Sequence, residues 1–196
     1  MTIKPGMINV KEIIDKSDLN RIEEIANNLY NENQEICVDC LKILTQIGEH
    51  KPVLIEKYVY EFLKLVQINN EELNYHALLA LNTLVHIKAE DIYDNCAYIL
   101  DVIETKNEAI EDIGIKIIAI LATKSEKYSL ALFPYLVSHL RASKNEKFPV
   151  FAEYILQAAT PENKEMLNGP LKERLEKLDS QGAKRINEVL RKLEEV

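Results

Sequence analysis

The chain has 196 residues, 47% of them hydrophobic and 29% charged, which is too apolar for disorder and fits one ordinary domain or one short repeat array. Its formal net charge is −8: residues 1–163 carry 16 Lys+Arg against 25 Asp+Glu, or −9, and residues 164–196 carry 8 against 7, or +1. An acidic body repels a phosphate backbone and no basic stripe offsets it, so nucleic acid is a poor partner on these grounds, and no apolar run nears the ~20 residues of a membrane span.

Five Gly and six Pro are few for this length, which points to long helices with short connections. The N-terminus, MTIKPGMINV, lacks a signal-peptide core and a small-residue cleavage site. Three cysteines make no disulfide framework, and a reducing cytoplasm is the expected compartment. A short leading helix is expected over about 8–15.

Four segments then begin with Asn and place a small residue seven positions later: Asn33 to Cys40, Asn70 to Ala77, Asn107 to Gly114 and Asn145 to Ala152. The third residue after each Asn is a large hydrophobe, Ile36, Leu73, Ile110 or Phe148. Paired apolar positions follow at Ile43/Leu44, Ala80/Leu81, Ile117/Ile118 and Ile155/Leu156. This spacing is one face of an α-helix, and Asn is among the best helix N-caps, so each Asn is expected to start a helix.

The intervening segments keep the same period. The columns are Ile22, Val59, Cys96, Phe133; Ile25, Phe62, Ile99, Leu136; Ala26, Leu63, Leu100, Val137; and Leu29, Val66, Ile103, Leu140. Their offsets again describe one helical face. The unit is therefore two antiparallel helices of about 37 residues, repeated over about 16–50, 51–87, 88–125 and 126–160. A capping helix pair follows over 164–196, carried by Leu171, Leu175 and Leu178, then Ile186, Val189, Leu190 and Leu193. One pair cannot bury its apolar face alone, so neighbours must stack, and pairs stacked at a constant period build a single all-α solenoid over 1–196. Pro134 lies within the first helix of the fourth unit, where it either delays or kinks that helix.

Over roughly residues 15–160 the chain resembles the HEAT family of helical repeats, most closely from Asn70 to Leu81. That family's second helix has an Asp or Asn cap followed by Val-Arg-x-x-Ala-x-x-Ala-Leu, and Leu73, Ala77, Ala80 and Leu81 stand in register with it. The family's Arg is replaced here by Cys37, Asn74, Glu111 and Pro149. The resemblance implies a right-handed α-solenoid of antiparallel helix pairs, a HEAT/armadillo-like superhelix, whose second helices line a concave binding face.

The pair Cys37–Cys40 forms a C-x-x-C. Cys40 shares the small-residue column with Ala77, Gly114 and Ala152, where a neighbouring helix must approach closely. Cys37 shares a variable column, expected to be exposed, with Asn74, Glu111 and Pro149. Cys96 belongs to the core column of Val59 and Phe133. Zinc needs about four ligands, and no second C-x-x-C or His pair accompanies this one, so the pair reads as packing. His50, His76, His86 and His139 make no ligand spacing, and no glycine-rich phosphate loop or nucleophile elbow occurs. Glu71/Glu72 and Glu108/Glu111/Asp112 fall in first helical turns, where they complement the helix dipole. No cofactor, metal or catalytic constellation is expected.

The run from Glu90 to Asp112 holds eight acidic residues against only Lys88 at its edge and Lys106 within it, either a solvated edge or a patch for a basic partner. The non-core stripe of the second helices gives Glu35, Asp39, Lys42, Gln46; Glu72, His76, Leu79, Thr83; Ala109, Ile113, Lys116, Ile120; and Lys147, Phe151, Tyr154, Ala158. Of these, Asp39, Lys42, His76, Leu79, Ile113, Lys116, Phe151 and Tyr154 are the candidate partner-binding residues. Phe151 and Tyr154 have a competing reading, in which they pack beneath the C-terminal helices. The expected function is a non-enzymatic scaffold or adaptor holding a protein or peptide, with self-association open. The alternative is an enzyme resembling HEAT-like alkylpurine DNA glycosylases, which bind DNA on a basic concave face with aromatic residues near the lesion. Trp is absent here and the body is acidic.

Overall fold

The computed structural model describes residues 8–105 and 107–196. The segment MTIKPGM, read above for a leader, and Lys106 of the acidic run lie outside the described residues. Among the described residues the chain forms twelve α-helices and no strand. They are α1 Val10–Lys16, α2 Leu19–Ala26, α3 Gln34–His50, α4 Val59–Val66, α5 Glu71–Leu84, α6 Ala89–Asp94, α7 Cys96–Ile103, α8 Glu108–Ala122, α9 Glu126–Ala142, α10 Phe148–Leu156, α11 Lys164–Leu175 and α12 Ser180–Glu194. Two 3-10 turns, Pro52–Leu54 and Glu56–Tyr58, lead into α4.

The caps explain most starts. Asn9 Oδ1 accepts from Glu12 N at 3.2 Å, and Asp18 Oδ1 accepts from Arg21 N at 3.1 Å. Between them Ser17 takes a left-handed φ of 49°, which costs about 1–2 kcal/mol but folds α2 back beside α1. Asn33 caps α3 through Glu35 N at 2.9 Å, and Asn70 caps α5 through Leu73 N at 3.1 Å. Asn107 receives Ala109 N and Ile110 N at 3.1 and 3.3 Å. Each such cap contributes about 1 kcal/mol.

The helices pack in neighbouring pairs, and the chain divides into two compact units, 1–114 and 115–196, with the boundary inside α8. In the first unit α3 packs on α1, α2 and α5, while α4 packs on α5, α6 and α7. In the second, α9 packs on α10 and α11, and α12 packs on α10 and α11. The core residues are those of the periodic columns: Ile22, Ile25, Phe62, Val66, Leu81, Ile99, Ile117, Phe133 and Ile155 are all buried. Each large apolar side chain removed from water contributes roughly 1.5–3 kcal/mol. The small column behaves as its chemistry requires, because Cys40, Ala77, Gly114 and Ala152 are all buried.

Several local expectations are corrected. Cys37 is buried, not exposed: the turn before α3 folds over it, and its Sγ lies 3.1 Å from Asn31 O. Asn74, in the same column, is buried too, with Nδ2 donating to Leu65 O, Val66 O and Ile68 O at 3.1, 2.7 and 2.8 Å. At both positions the side chain satisfies carbonyls where the preceding segment ends, and polarity in sequence concealed that burial. Asn145 does not cap a helix. Pro149 sits at the start of α10, which begins at Phe148 without a side-chain cap. Asn145 Nδ2 instead donates to Lys177 O at 3.1 Å, and its Oδ1 accepts from Arg174 at 2.8 Å.

The first helix of the third unit is broken into α6 and α7 at Asn95, whose Nδ2 turns back to Asp91 O at 2.8 Å. Cys96, placed at that break, is only half-buried. Pro134 does not delay its helix: α9 starts at Glu126 under the Ser125 cap, and Pro134 faces solvent.

Candidate functional site

The candidate stripe divides into residues that reach solvent and residues that do not. In the first unit α3 carries Asp39 and Lys42 at helical spacing, and Lys42 Nζ lies 3.9 Å from Asp39 Oδ1 with both side chains about half exposed. The packing of α3 on α5 brings His76 into the field of both, together with Glu72 one turn before it on α5. Burial pushes the His76 imidazole below its ordinary value, and Lys42 adds to this, while Glu72 and Asp39 oppose it. Neutral imidazole is therefore the favoured form at neutral pH, leaving a nitrogen lone pair for a hydrogen bond from a partner. The Tyr75 ring meets the His76 ring edge-on, with centroids 5.2 Å apart and planes at 63°. Leu79, one turn further along α5, is half-buried, with part of its surface open.

This cluster holds two anions, a cation, a neutral imidazole and an aliphatic edge on two adjacent helices. Such a set suits a polar peptide surface with one apolar anchor. Thr83, last in the α5 stripe, faces inward: its Oγ1 would lie 2.3 Å from a Cβ on Gly48, so the two helices meet too closely there for a ligand.

The remaining candidates are less open. Ile113 is 7% exposed and Ile120 9%, so both belong to the core. Lys116 on α8 is partly exposed. Phe151 is fully buried, its ring 5.6 Å from that of His139 on α9, and it is corrected from surface to core. Tyr154 on the same helix keeps part of its surface and lies in the field of Arg185 on α12. Arg185 grips Glu153 with two bonds of 2.7 Å, which fixes α12 against α10 beside Tyr154. Helical spacing alone could not separate these cases, because it fixes the azimuth of a residue and not what packs over it.

The C-x-x-C is enclosed. Burial pushes the Cys40 thiol up to about 12, with Cys37 and Asp39 adding to the shift, so at neutral pH it is a neutral thiol and a poor nucleophile. All three cysteines are free. Among the described residues, no group of three or more His, Cys, Asp and Glu is placed to hold a metal ion. None of the helices is long and apolar enough to cross a membrane, again among the described residues. Part of the acidic run is internally engaged: Asp91 accepts from Tyr60 Oη at 2.5 Å and lies 3.5 Å from Lys88 Nζ.

The stripe pattern omits two features that the structure supplies. One is Tyr75, whose ring contact with His76 depends on χ angles that the sequence does not carry. The other is a groove beside Ser129 and Ala159, for which the sequence signal is a pair of periodic columns that lose their large side chain.

No protein-family model matches the chain, and no curated protein matches it. Among solved structures it is similar to the crystal structure of an engineered protein from the Northeast Structural Genomics Consortium, at 15% identity and a TM-score of 0.73. The likeness covers 96% of this chain and 85% of that one, and at this identity it speaks to the all-helical fold alone.

Proposed function

We propose that this chain is a non-enzymatic, cytoplasmic interaction scaffold of the HEAT-like α-solenoid kind, which holds a protein or peptide on the faces of its second helices. The observation that carries this reading is the α3–α5 cluster, where Asp39, Lys42, Glu72, His76 and the half-open Leu79 share one surface. Their side chains span both charge signs and an apolar edge, the mixture that a specific polar interface uses. The periodic sequence and the packing of helices in neighbouring pairs support the repeat architecture. Three free thiols suit a reducing compartment.

The test is affinity capture from a native lysate with the whole chain as bait, compared with Lys42→Glu and Leu79→Ala. The reading expects a small set of proteins that is depleted by both changes while the melting temperature stays within a few degrees. A captured set that neither change alters sinks the stripe as the binding surface. Strong, salt-sensitive retention of duplex DNA would instead favour the nucleic-acid alternative.

A further inference from the structure

The second unit contains an open groove of about 640 Å³ between the start of α9, the end of α8 and the α10–α11 connection. Its origin is legible in the repeat. The first-helix column one turn before Ile22, Val59, Cys96 and Phe133 reads Asp18, which caps α2, then Ile55, Ile92 and Ser129. Ile55 and Ile92 are completely buried, whereas Ser129 is a small polar residue on the groove wall. The second-helix column three residues beyond Leu44, Leu81, Ile118 and Leu156 reads Ile47, Leu84, Leu121 and Ala159. The first three are again completely buried, and Ala159 lines the groove. Two large aliphatic side chains that fill the second and third repeats are thus absent from the fourth, and an unfilled site of that kind costs stability unless something occupies it.

Several polar groups around the groove are already engaged within the chain. Asn163 Nδ2 donates to Ser129 Oγ at 3.2 Å and to Ala158 O at 3.1 Å, and its Oδ1 accepts from Thr160 N at 2.7 Å. Thr123 Oγ1 donates to Ile120 O at 2.7 Å. What remains open is apolar, with Leu130 72% and Met166 44% exposed on the walls. The only charged side chains in the lining are Glu126 and Glu162. A hydrogen bond with Thr160 holds the Glu162 carboxyl below the usual carboxylate range, which keeps it ionised.

We propose that this groove is a docking site for an amphipathic helical segment of a partner protein, which inserts large aliphatic side chains where Ser129 and Ala159 leave room and sets Lys or Arg against Glu126 and Glu162. Aliphatic anchors one turn apart fit the paired vacancies, and the acidic rim selects the charge of the flanks. The site lies wholly within the second unit and is independent of the α3–α5 cluster.

The test is fluorescence anisotropy of the full chain with a labelled helical peptide carrying two leucines one turn apart and flanking lysines. A second peptide has glutamates in place of the lysines. The lysine peptide should bind saturably, and the glutamate peptide at least about tenfold more weakly. Ala159→Leu fills the groove from within, and Leu130→Ser removes an exposed wall; each should weaken the lysine peptide about tenfold or more. Because Leu130 is solvent-exposed, its change leaves the fold intact even if Ala159→Leu does not fold. Lys42→Glu and Leu79→Ala should leave this binding unchanged, which separates this site from the proposed α3–α5 surface. No saturable binding, equal binding of both peptides, or indifference to Leu130→Ser overturns the proposal. Sedimentation of the peptide-free chain as a dimer that Leu130→Ser dissociates also overturns it, since the occupant is then a second copy.

Discussion

A Cβ placed on Gly114 of α8 would lie 2.5 Å from Cγ1 and 2.9 Å from Cδ1 of Ile103, at the end of α7. The two helices meet at a distance that only hydrogen on one side permits. Gly114→Ala gains about 1 kcal/mol of helix propensity, but the overlap with the Ile103 side chain in a packed core costs about 1–3 kcal/mol and wins. The variant should unfold at lower denaturant. Gly114→Ala/Ile103→Ala should be less destabilised than the two single changes added together. Strict additivity in urea unfolding would show that the contact is not the cause.

Asn74 holds three carbonyls at the end of α4 from its buried place on α5. Asn74→Leu keeps the bulk but leaves those oxygens without their shared donor. The expected loss is about 1–3 kcal/mol, read as a lower midpoint in chemical denaturation. Amide exchange should rise first over the α4–α5 turn, where Ile68 and Asn70 lie. A variant as stable as the parent would mean that water replaces the amide without cost.

Thr45 makes the opposite case. It is 8% exposed on α3, and among the described residues its Oγ1 has no hydrogen-bond partner. Thr45→Val keeps the branched shape and removes the stranded hydroxyl, so stability should rise by about 1 kcal/mol. Thermal unfolding reads the change. A fall of that size would reveal a bound water supplying the missing partner.

His76 gives a pH signature. Its folded value lies below the ordinary 6.5, so the unfolded chain takes up the proton first as pH falls. The stability linked to this residue is complete above the unfolded value and declines as pH drops through 6.5 toward the lower folded value. Lys42 and burial favour the neutral ring, and Glu72 and Asp39 favour the charged one. The difference in melting temperature between the parent and His76→Gln should therefore shrink or reverse on going from about pH 7.5 to pH 5.5. Removing the cation with Lys42→Met should make that change smaller. A flat difference curve would place His76 outside the field of these groups.

The periodic columns determined by themselves that this protein is all helical, where α3, α5 and α8 begin and which face of the repeat helices is apolar. Caps such as Asn33 and Asn70 and cores such as Phe62 and Leu81 follow from local chemistry and from a repeating apolar face, and both are written residue by residue. Tertiary structure decided the rest. Asn145 stands in register with the capping asparagines, yet a proline four residues on moved the helix start and Arg174 claimed its side chain. Phe151 and His76 occupy equivalent stripe positions on their helices, and only packing from other elements buries one while leaving the other partly open. Polarity misplaced Cys37 and Asn74, because a buried polar group is stable wherever a neighbouring backbone satisfies it. A periodic pattern fixes the direction in which a side chain points, whereas exposure depends on what another segment brings there.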